Sequence, residues 1–334
     1  GYANAILRRL SASPIDLPSG NPAVYYSLPP ELYGYLRKWY GPAEAAALGE
    51  AFLCEDVRVT ARVNRLQASA ASVSDELQAA GIGAEAGRYC AEALLLDLRG
   101  HAVRELPAWQ DGRLTIQDEA AMLVGYAASP QPGQTVIDLC AAPGGKTCHL
   151  AERSDDRSRI LATDINPERL KLVTGQAQRL GLTSISCQTG DATGAGMDPR
   201  LAGTADLVLA DVPCSGLGLL GRKPEIRLTM THEKMIGLYP LQQSILEYAA
   251  TLVCPGGVLI YSTCTINPAE NIGRVQAFLE ESGNRFRLED LTPHMPAAVT
   301  RQPDLAQQAR EGWLQLLPHR HQLDGFFIAR LRRT

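Results

Sequence analysis

The 334-residue chain has few aromatic side chains, 6% of the total, and no long apolar run. Its best run, 257–265, stops after about nine residues, short of the ~18 to 20 that a membrane-spanning helix needs, so no membrane partner is expected. The eight cysteines, at 54, 90, 140, 148, 187, 214, 254 and 264, make no CxxC pair and no even framework. Metal ribbons and secreted disulfide scaffolds are poor readings of that spacing; no metal is expected, and reduced thiols in a cytoplasm fit better. The order G-x-G-x-x-G and a Walker A are both missing, which argues against a dinucleotide or a triphosphate. An excess of one charge is missing too: 32 basic side chains stand against 36 acidic ones, for a net charge of −4. A nucleic-acid partner would therefore need a local basic groove. The chain opens on Gly1 rather than Met, without the basic, apolar and small-residue order of a signal peptide, and reads as a fragment whose N-terminal part is absent.

What is present is a globular composition, 45% apolar and 20% charged, at a length of about two domains by the usual ~150 residues each. Before residue 130 the pattern is mixed. Beyond it, apolar strands alternate with helical segments, the pattern of an α/β fold with a parallel sheet. The strand candidates are 135–140, 159–165, 185–189, 205–211, 258–264, 286–291 and 326–331, seven in all. Helices are expected at 167–180, which has Pro in its first turn, over 231–253, and from Asn267-Pro268 onward. At the front, Ile6, Leu7 and Leu10, and then Leu32, Tyr35, Leu36 and Trp39, fall at helical spacing around a proline-rich stretch, 14–30. Residues 57–110 read as a small α+β unit with a strand at 57–66 and a helix near 72–80. We expect a helical segment (1–55), a small α+β domain (56–130) and an α/β domain (131–334).

Cys140, Ala141, Ala142, Pro143, Gly144, Gly145 and Lys146 follow the first strand and open a helix. Their small side chains would let a ligand approach the backbone, and the helix N-terminus would offer it partial positive charge. Two glycines alone are as easily an ordinary tight turn. Asp164 ends the next strand, where open doubly wound sheets place a carboxylate for ribose hydroxyls, and Asp191 ends the third. Asp164 is also a helix-cap candidate. Together the three strand ends suggest an adenosine derivative. Two thiols, Cys214 after Asp211 and Cys264 after Thr263, end strands four and five. On parallel neighbours they would face one cleft. A thiolate added to carbon 6 of a cytosine turns carbon 5 into a nucleophile toward a methyl sulfonium. Lys146 is a candidate to favour the thiolate, and Asp211 to hold ring nitrogen 3. Local chemistry does not choose between the two thiols. Cys54, Cys90, Cys187 and Cys254 read as small buried hydrophobes, and Cys140 and Cys148 lean the same way.

The series DLCAAPGGKT (138–147), ATDIN (162–166), GDAT (190–193), DVPCSGLG (211–218), RKPEIR (222–227), YSTCTINPAEN (261–271) and DGFFIARL (324–331) resembles the Sun/Nop group of RNA cytosine-carbon-5 methyltransferases, within it the bacterial RsmB (Fmu/Sun) type. The resemblance implies a Rossmann-like, S-adenosyl-L-methionine-dependent core with a seven-stranded, mostly parallel sheet, preceded by a helical segment and a small RNA-recognition-like domain. It implies a cofactor held by residues 140–146, Asp164, Asp191 and Asp211, Cys264 as nucleophile, and Cys214 as a helper in product release. NAILRR (4–9) resembles the end of the family's NusB-like domain, most of which would then be missing, and ARVNRL (61–66) the start of its RNA-recognition-like unit. Val212, Gly221 and Leu228 depart from the family pattern, which touches RNA contacts rather than catalysis.

The implied substrate is small-subunit ribosomal RNA, worked on by a cytoplasmic monomer. Arg58, Arg62, Arg65, Arg222, Lys223 and Arg227 are the candidate phosphate contacts, since a looped RNA needs a basic track before a base is extruded. Arg330, Arg332 and Arg333 read as solvated, His149 and His232 as surface, and Gln117-Asp118-Glu119 as a capping arrangement. The alternatives are the same reaction on transfer RNA or another RNA, a DNA cytosine methyltransferase, and a non-catalytic RNA-binding assembly factor. A nicotinamide-linked dehydrogenase is disfavoured by the glycine order.

Overall fold

The computed structural model describes residues 2–13, 20–53 and 58–334; Cys54, Val57 and the Pro14 end of the proline-rich stretch lie outside them. In the front part, β1 (Val59–Val63), β2 (Gly83–Ala86), β3 (Ala93–Asp97) and β4 (Leu114–Ile116) pair antiparallel in the order β2-β3-β1-β4. The helix Ala70–Ala79, capped by the Ser69 hydroxyl on the Ser72 amide, buries Val73 and Leu77 against that sheet. Upstream, the helix Pro30–Leu53 bends at Gly41, whose φ of 83° is left-handed, just before Pro42. It carries Leu32, Leu36, Leu48 and Phe52 onto Leu217, Leu220 and Ile266 of the back part.

The second sheet contains β5 (Thr135–Asp138), β6 (Arg159–Asp164), β7 (Ile185–Thr189), β8 (Ala205–Asp211), β9 (Val253–Thr263), β10 (Phe286–Leu288), β11 (Trp313–Leu316) and β12 (Phe326–Arg333). Its order is β10-β12-β9-β8-β5-β6-β7, with β11 paired to β12. The contacts among β5 to β9 are parallel, and those that β12 makes are antiparallel. All seven expected strands are present; β11 is an eighth. Its four residues, two buried and two half-buried, are too few to show a clear period in sequence. Apolar clusters fill both faces, as a parallel sheet requires. Among the described residues no helix is long and apolar enough to cross a membrane, and no group of side chains is arranged to hold a metal ion.

Several basic side chains expected at the surface are structural. Arg62, an RNA candidate, is fully buried on β1 and makes a two-pronged ion pair with Glu152 at 3.0 and 2.7 Å, with a further bond to the Gly145 carbonyl. It joins the small sheet to the helix that follows the 140–146 loop. Arg227, another RNA candidate, is buried and donates to the carbonyls of Tyr26, Ser27, Phe52 and Leu220, stitching the front helices to the back part. Arg330 is 4% exposed and bonds Glu289 and the Ala127 and Ala128 carbonyls, while Arg332 and Arg333 are half-buried. His149 is buried against Glu92, and burial pushes it down to about 3. His232 is half-buried, with Nδ1 at 2.8 Å from the Tyr35 hydroxyl. Cys187 is exposed and Cys254 half-buried, contrary to expectation; Cys90 and Cys148 are buried. Asp118 does cap the helix Glu119–Ala128.

Removing one partner of a buried ion pair leaves the other charge desolvated. Arg62→Ala should therefore lower the unfolding free energy by about 3 to 5 kcal/mol. Arg65→Ala, which removes a half-exposed pair with Asp155 at 3.5 Å, should cost under about 1 kcal/mol. Urea titrations of both variants check this; equal losses would contradict a structural role for Arg62.

Candidate active site

The site lies beyond the C-terminal ends of the parallel strands, where the strand order reverses between β5 and β8. A cavity of about 320 Å³ opens there, lined by Cys140, Ala142, Asp164, Asp191, Asp211, Cys214 and Cys264, with apolar walls from Leu139, Ile165, Leu241 and Ile245. The strand ends thus bring together the expected acids and both expected thiols. Asp164 is 4% exposed; its Oδ1 accepts from the Asn166 amide at 2.9 Å and its Oδ2 from the Ala142 amide at 3.3 Å. It is not the helix cap, because Asn166 caps Pro167–Leu180 with its own side chain. Asp191 folds Oδ1 back onto Thr193 and borders the cavity.

Gly144 departs from its expected use. At φ 106° it adopts a backbone that L side chains rarely take, and a Cβ there would meet the Val173 Cα at 3.0 Å. Its hydrogen side chain seats the loop on the helix Pro167–Leu180 rather than making room for a ligand. Ala141, Pro143, Gly145 and Lys146 likewise shape the loop without lining the cavity wall. Beside Gly145 lies Gln117, 7% exposed, whose side-chain oxygen and nitrogen are buried with no hydrogen-bond partner among the described residues. Such an orphan pair next to a helix N-terminus suits a polar ligand. Sequence reading had taken Gln117 as part of a cap.

The two thiols define the reactive end. Asp211 of β8 sits beside Ser262 of β9, and the turns beyond those residues bring Cys214 and Cys264 together, Sγ to Sγ at 3.3 Å. Asp211 is shared: Oδ2 accepts from Lys146 Nζ and Oδ1 from the Ser262 hydroxyl, each at 2.7 Å. Burial alone would depress Lys146, but Asp211 outweighs it and holds the ammonium protonated. The hydrogen bond from Cys214, helped by Lys146 and Lys223, lowers the Cys264 thiol against burial and the Asp211 charge. Cys214 is pushed well up, first by that same hydrogen bond and then by burial. These opposite directions favour the proton on Cys214 and the thiolate on Cys264. Lys146 acts through space, since its bond is to Asp211.

Of the basic candidates, Lys223 is exposed and makes no ion pair among the described residues. Arg222 binds Asp118 and Asp324, Arg58 binds Glu85, and Arg65 binds Asp155. Residues 265–271 are not helix, as Asn267-Pro268 had suggested; the helix runs Ile272–Ser282, and the turn before it carries Asn267, Glu270 and Asn271, all fully buried. Their buried roles were invisible because each polar group finds its partner 28 to 55 residues away along the chain or within the turn itself.

Residues 126–332 match the family model described as "16S rRNA methyltransferase RsmB/F", and residues 30–102 match "Methyltr_RsmF/B-like, ferredoxin-like domain". A "Probable ribosomal RNA small subunit methyltransferase B" from Synechocystis sp. is 38% identical over 92% of this chain and 67% of its own length. One of the same description from Bacillus subtilis is 38% identical over 82% of this chain and 59% of its own. The chain thus spans about two thirds or less of these relatives. Among solved structures, PH0851 superposes with a TM-score of 0.83 at 30% identity, covering 93% of this chain and 67% of that one. NSun6 from Pyrococcus horikoshii, solved with SFG, shares the fold at a TM-score of 0.77 and 22% identity, covering 91% and 98%. With a family model spanning more than half its length and a cavity at the strand ends that its matched residues build, this chain belongs to the 16S rRNA methyltransferase RsmB/F family.

Proposed function

We propose that the chain methylates carbon 5 of a cytosine in small-subunit ribosomal RNA, in the cytoplasm, with Cys264 as the nucleophile. The observation that carries this reading is the thiol pair on the wall of the cavity, its sulfurs 3.3 Å apart, in surroundings that lower the Cys264 thiol and raise that of Cys214.

The cofactor of the family is S-adenosyl-L-methionine, and when bound it supplies a methyl group carried on a positively charged sulfur. The residues present fit it: Asp164 and Asp191 for hydroxyl and base donors, and the apolar walls for a flat ring. The Cys264 thiolate forms a bond to carbon 6 of the pyrimidine, which shifts the ring electrons toward carbon 5 and ring nitrogen 3. Ring nitrogen 3 takes a proton from solvent as that charge develops, and Asp211, its own charge balanced by Lys146, accepts a hydrogen bond from the new N–H. After carbon 5 is methylated its proton passes to water, the electrons of that C–H bond re-form the double bond to carbon 6, the sulfur departs with the electron pair of the C–S bond, and ring nitrogen 3 returns its proton to solvent. Cys214, in contact with Cys264, assists this release. Lys223, exposed and close enough to lower Cys264, together with Arg222, is the proposed contact for the RNA backbone at the mouth. Arg62 and Arg227, being buried, are not.

Incubated with S-adenosyl-L-methionine and small-subunit RNA, Cys214→Ala should accumulate a covalent protein–RNA species, seen as a retarded band on a denaturing gel. Cys264→Ala should give none; the reverse pattern would exchange the two roles, and bisulfite sequencing of the wild-type product should reveal a protected cytosine. The thiol pair also sets a pH dependence. A lowered thiol is ionised at lower pH, so iodoacetamide should label Cys264 at pH values where an ordinary cysteine, near 8.5, is still mostly neutral. Cys214→Ala removes the largest lowering cause, and the labelling curve should move to higher pH; an unchanged curve would refute the shared proton.

A further inference from the structure

We propose that Glu270 is a positioning residue that clamps the two thiol-bearing turns into reactive register. The inference deepens the roles proposed for Cys264 and Cys214, and rests on that reading.

The parallel ladder of β8 and β9 ends at Asp211 and Ser262, so both cysteines lie on turns beyond it. Only two backbone bonds join these turns among the described residues, Val212 N–H to the Ser262 carbonyl and Gly218 N–H to the Cys264 carbonyl. A separation of 3.3 Å between two side-chain tips needs more definition than that.

Glu270, wholly buried, supplies it. Its Oε2 accepts from the Ser215 amide at 2.8 Å and from Gln242 Nε2 at 2.9 Å; its Oε1 accepts from the Ser215 hydroxyl at 2.5 Å and from Asn267 Nδ2 at 3.0 Å. Gln242 Nε2 also donates to the Pro213 carbonyl at 3.0 Å, so the residues on both sides of Cys214 are tied to one carboxylate. The Ser215 hydroxyl lies 2.8 Å from the Thr265 hydroxyl, which carries the clamp to the residue after Cys264.

Asn271 completes that side. Its Oδ1 accepts from the Thr263 hydroxyl at 2.6 Å, and its Nδ2 donates to the Thr265 carbonyl at 2.9 Å. Adjacent residues 270 and 271 thus grip the two turns, one each. All four groups that face Glu270 are donors, so an acceptor-only side chain matches them, and an amide in its place would aim an N–H at one of them. A buried carboxylate is costly to desolvate, and four charge-assisted bonds are what offset it here.

The test uses the whole chain without RNA first. Phenylarsine oxide bridges two neighbouring thiols; the wild type should take it up in a way that either Cys214→Ala or Cys264→Ala abolishes. Glu270→Gln should weaken this bridging about tenfold or more, the scale of losing a hydrogen bond to a charge. Glu270→Asp, which keeps the acceptor, should recover part of it. With RNA and cofactor, kcat should fall in Glu270→Gln while the KM for S-adenosyl-L-methionine holds, because the contact is at the thiols. If Glu270→Gln does not fold, Ser215→Ala, which leaves the charge in place, is read in the same assays and should show a smaller loss of bridging. Wild-type bridging and wild-type kcat in the folded variant would overturn the clamp. A wild type that bridges the arsenical but methylates no cytosine, with bridging still lost in Glu270→Gln, would sink the proposed function and leave the clamp standing.

Discussion

Two sulfur atoms at 3.3 Å in a mostly buried site resist carrying a negative charge each, because like charges at that distance and low polarity repel by several kcal/mol. One proton must be kept between them, and the surroundings decide where. Cys264 has Lys146 and Lys223 within electrostatic reach, whereas Cys214 has Glu270. The asymmetry supports the proposed roles, Cys264 as the nucleophile and Cys214 as its hydrogen-bond donor. Everything else around the site serves the alignment: β8 and β9 bring the turns together, Asp211 anchors Lys146, and the turn at 265–271 fixes the sulfurs from below.

The same economy of buried charge links the small front sheet to the catalytic part. Arg62 reaches from β1 to Glu152 and to the Gly145 carbonyl, on the helix whose N-terminus faces Gln117. The loop at 140–146 is therefore held from behind by the front sheet and from the side by Gly144 packed on Val173. Arg227 plays the corresponding part for the helix Pro30–Leu53, whose Tyr40 hydroxyl donates to the Ile266 carbonyl two residues past Cys264. Front and back halves thus meet near the reactive atoms.

The seven main strands, the loop at 140–146, the acids at successive strand ends and the paired thiols were legible because strand period and turn composition are local signals, and parallel topology turns strand ends into one cleft. β11 was missed because four residues cannot establish a period. The basic residues misled for a different reason. Arg62 and Arg65 differ by three positions, yet one is fully buried and the other half-exposed, since β1 is covered on both faces and Arg65 lies on the turn beyond its end. Nothing in composition distinguishes an arginine that pairs with a glutamate 90 residues on from one that waits for a phosphate. Glu270 and Gln242 were equally silent, as their partners lie on other elements.

The proposed chemistry turns on which sulfur bonds the pyrimidine, that of residue 264 or that of residue 214. Replacing the target cytosine by 5-fluorocytosine removes the proton that must leave carbon 5, so the covalent species cannot resolve. The unaltered chain, incubated with such RNA and S-adenosyl-L-methionine, can then be digested and its cross-linked peptide sequenced by mass spectrometry. A nucleotide on Cys264 is the result this account requires; a nucleotide on Cys214, or no covalent species while methylation of ordinary RNA proceeds, would contradict it.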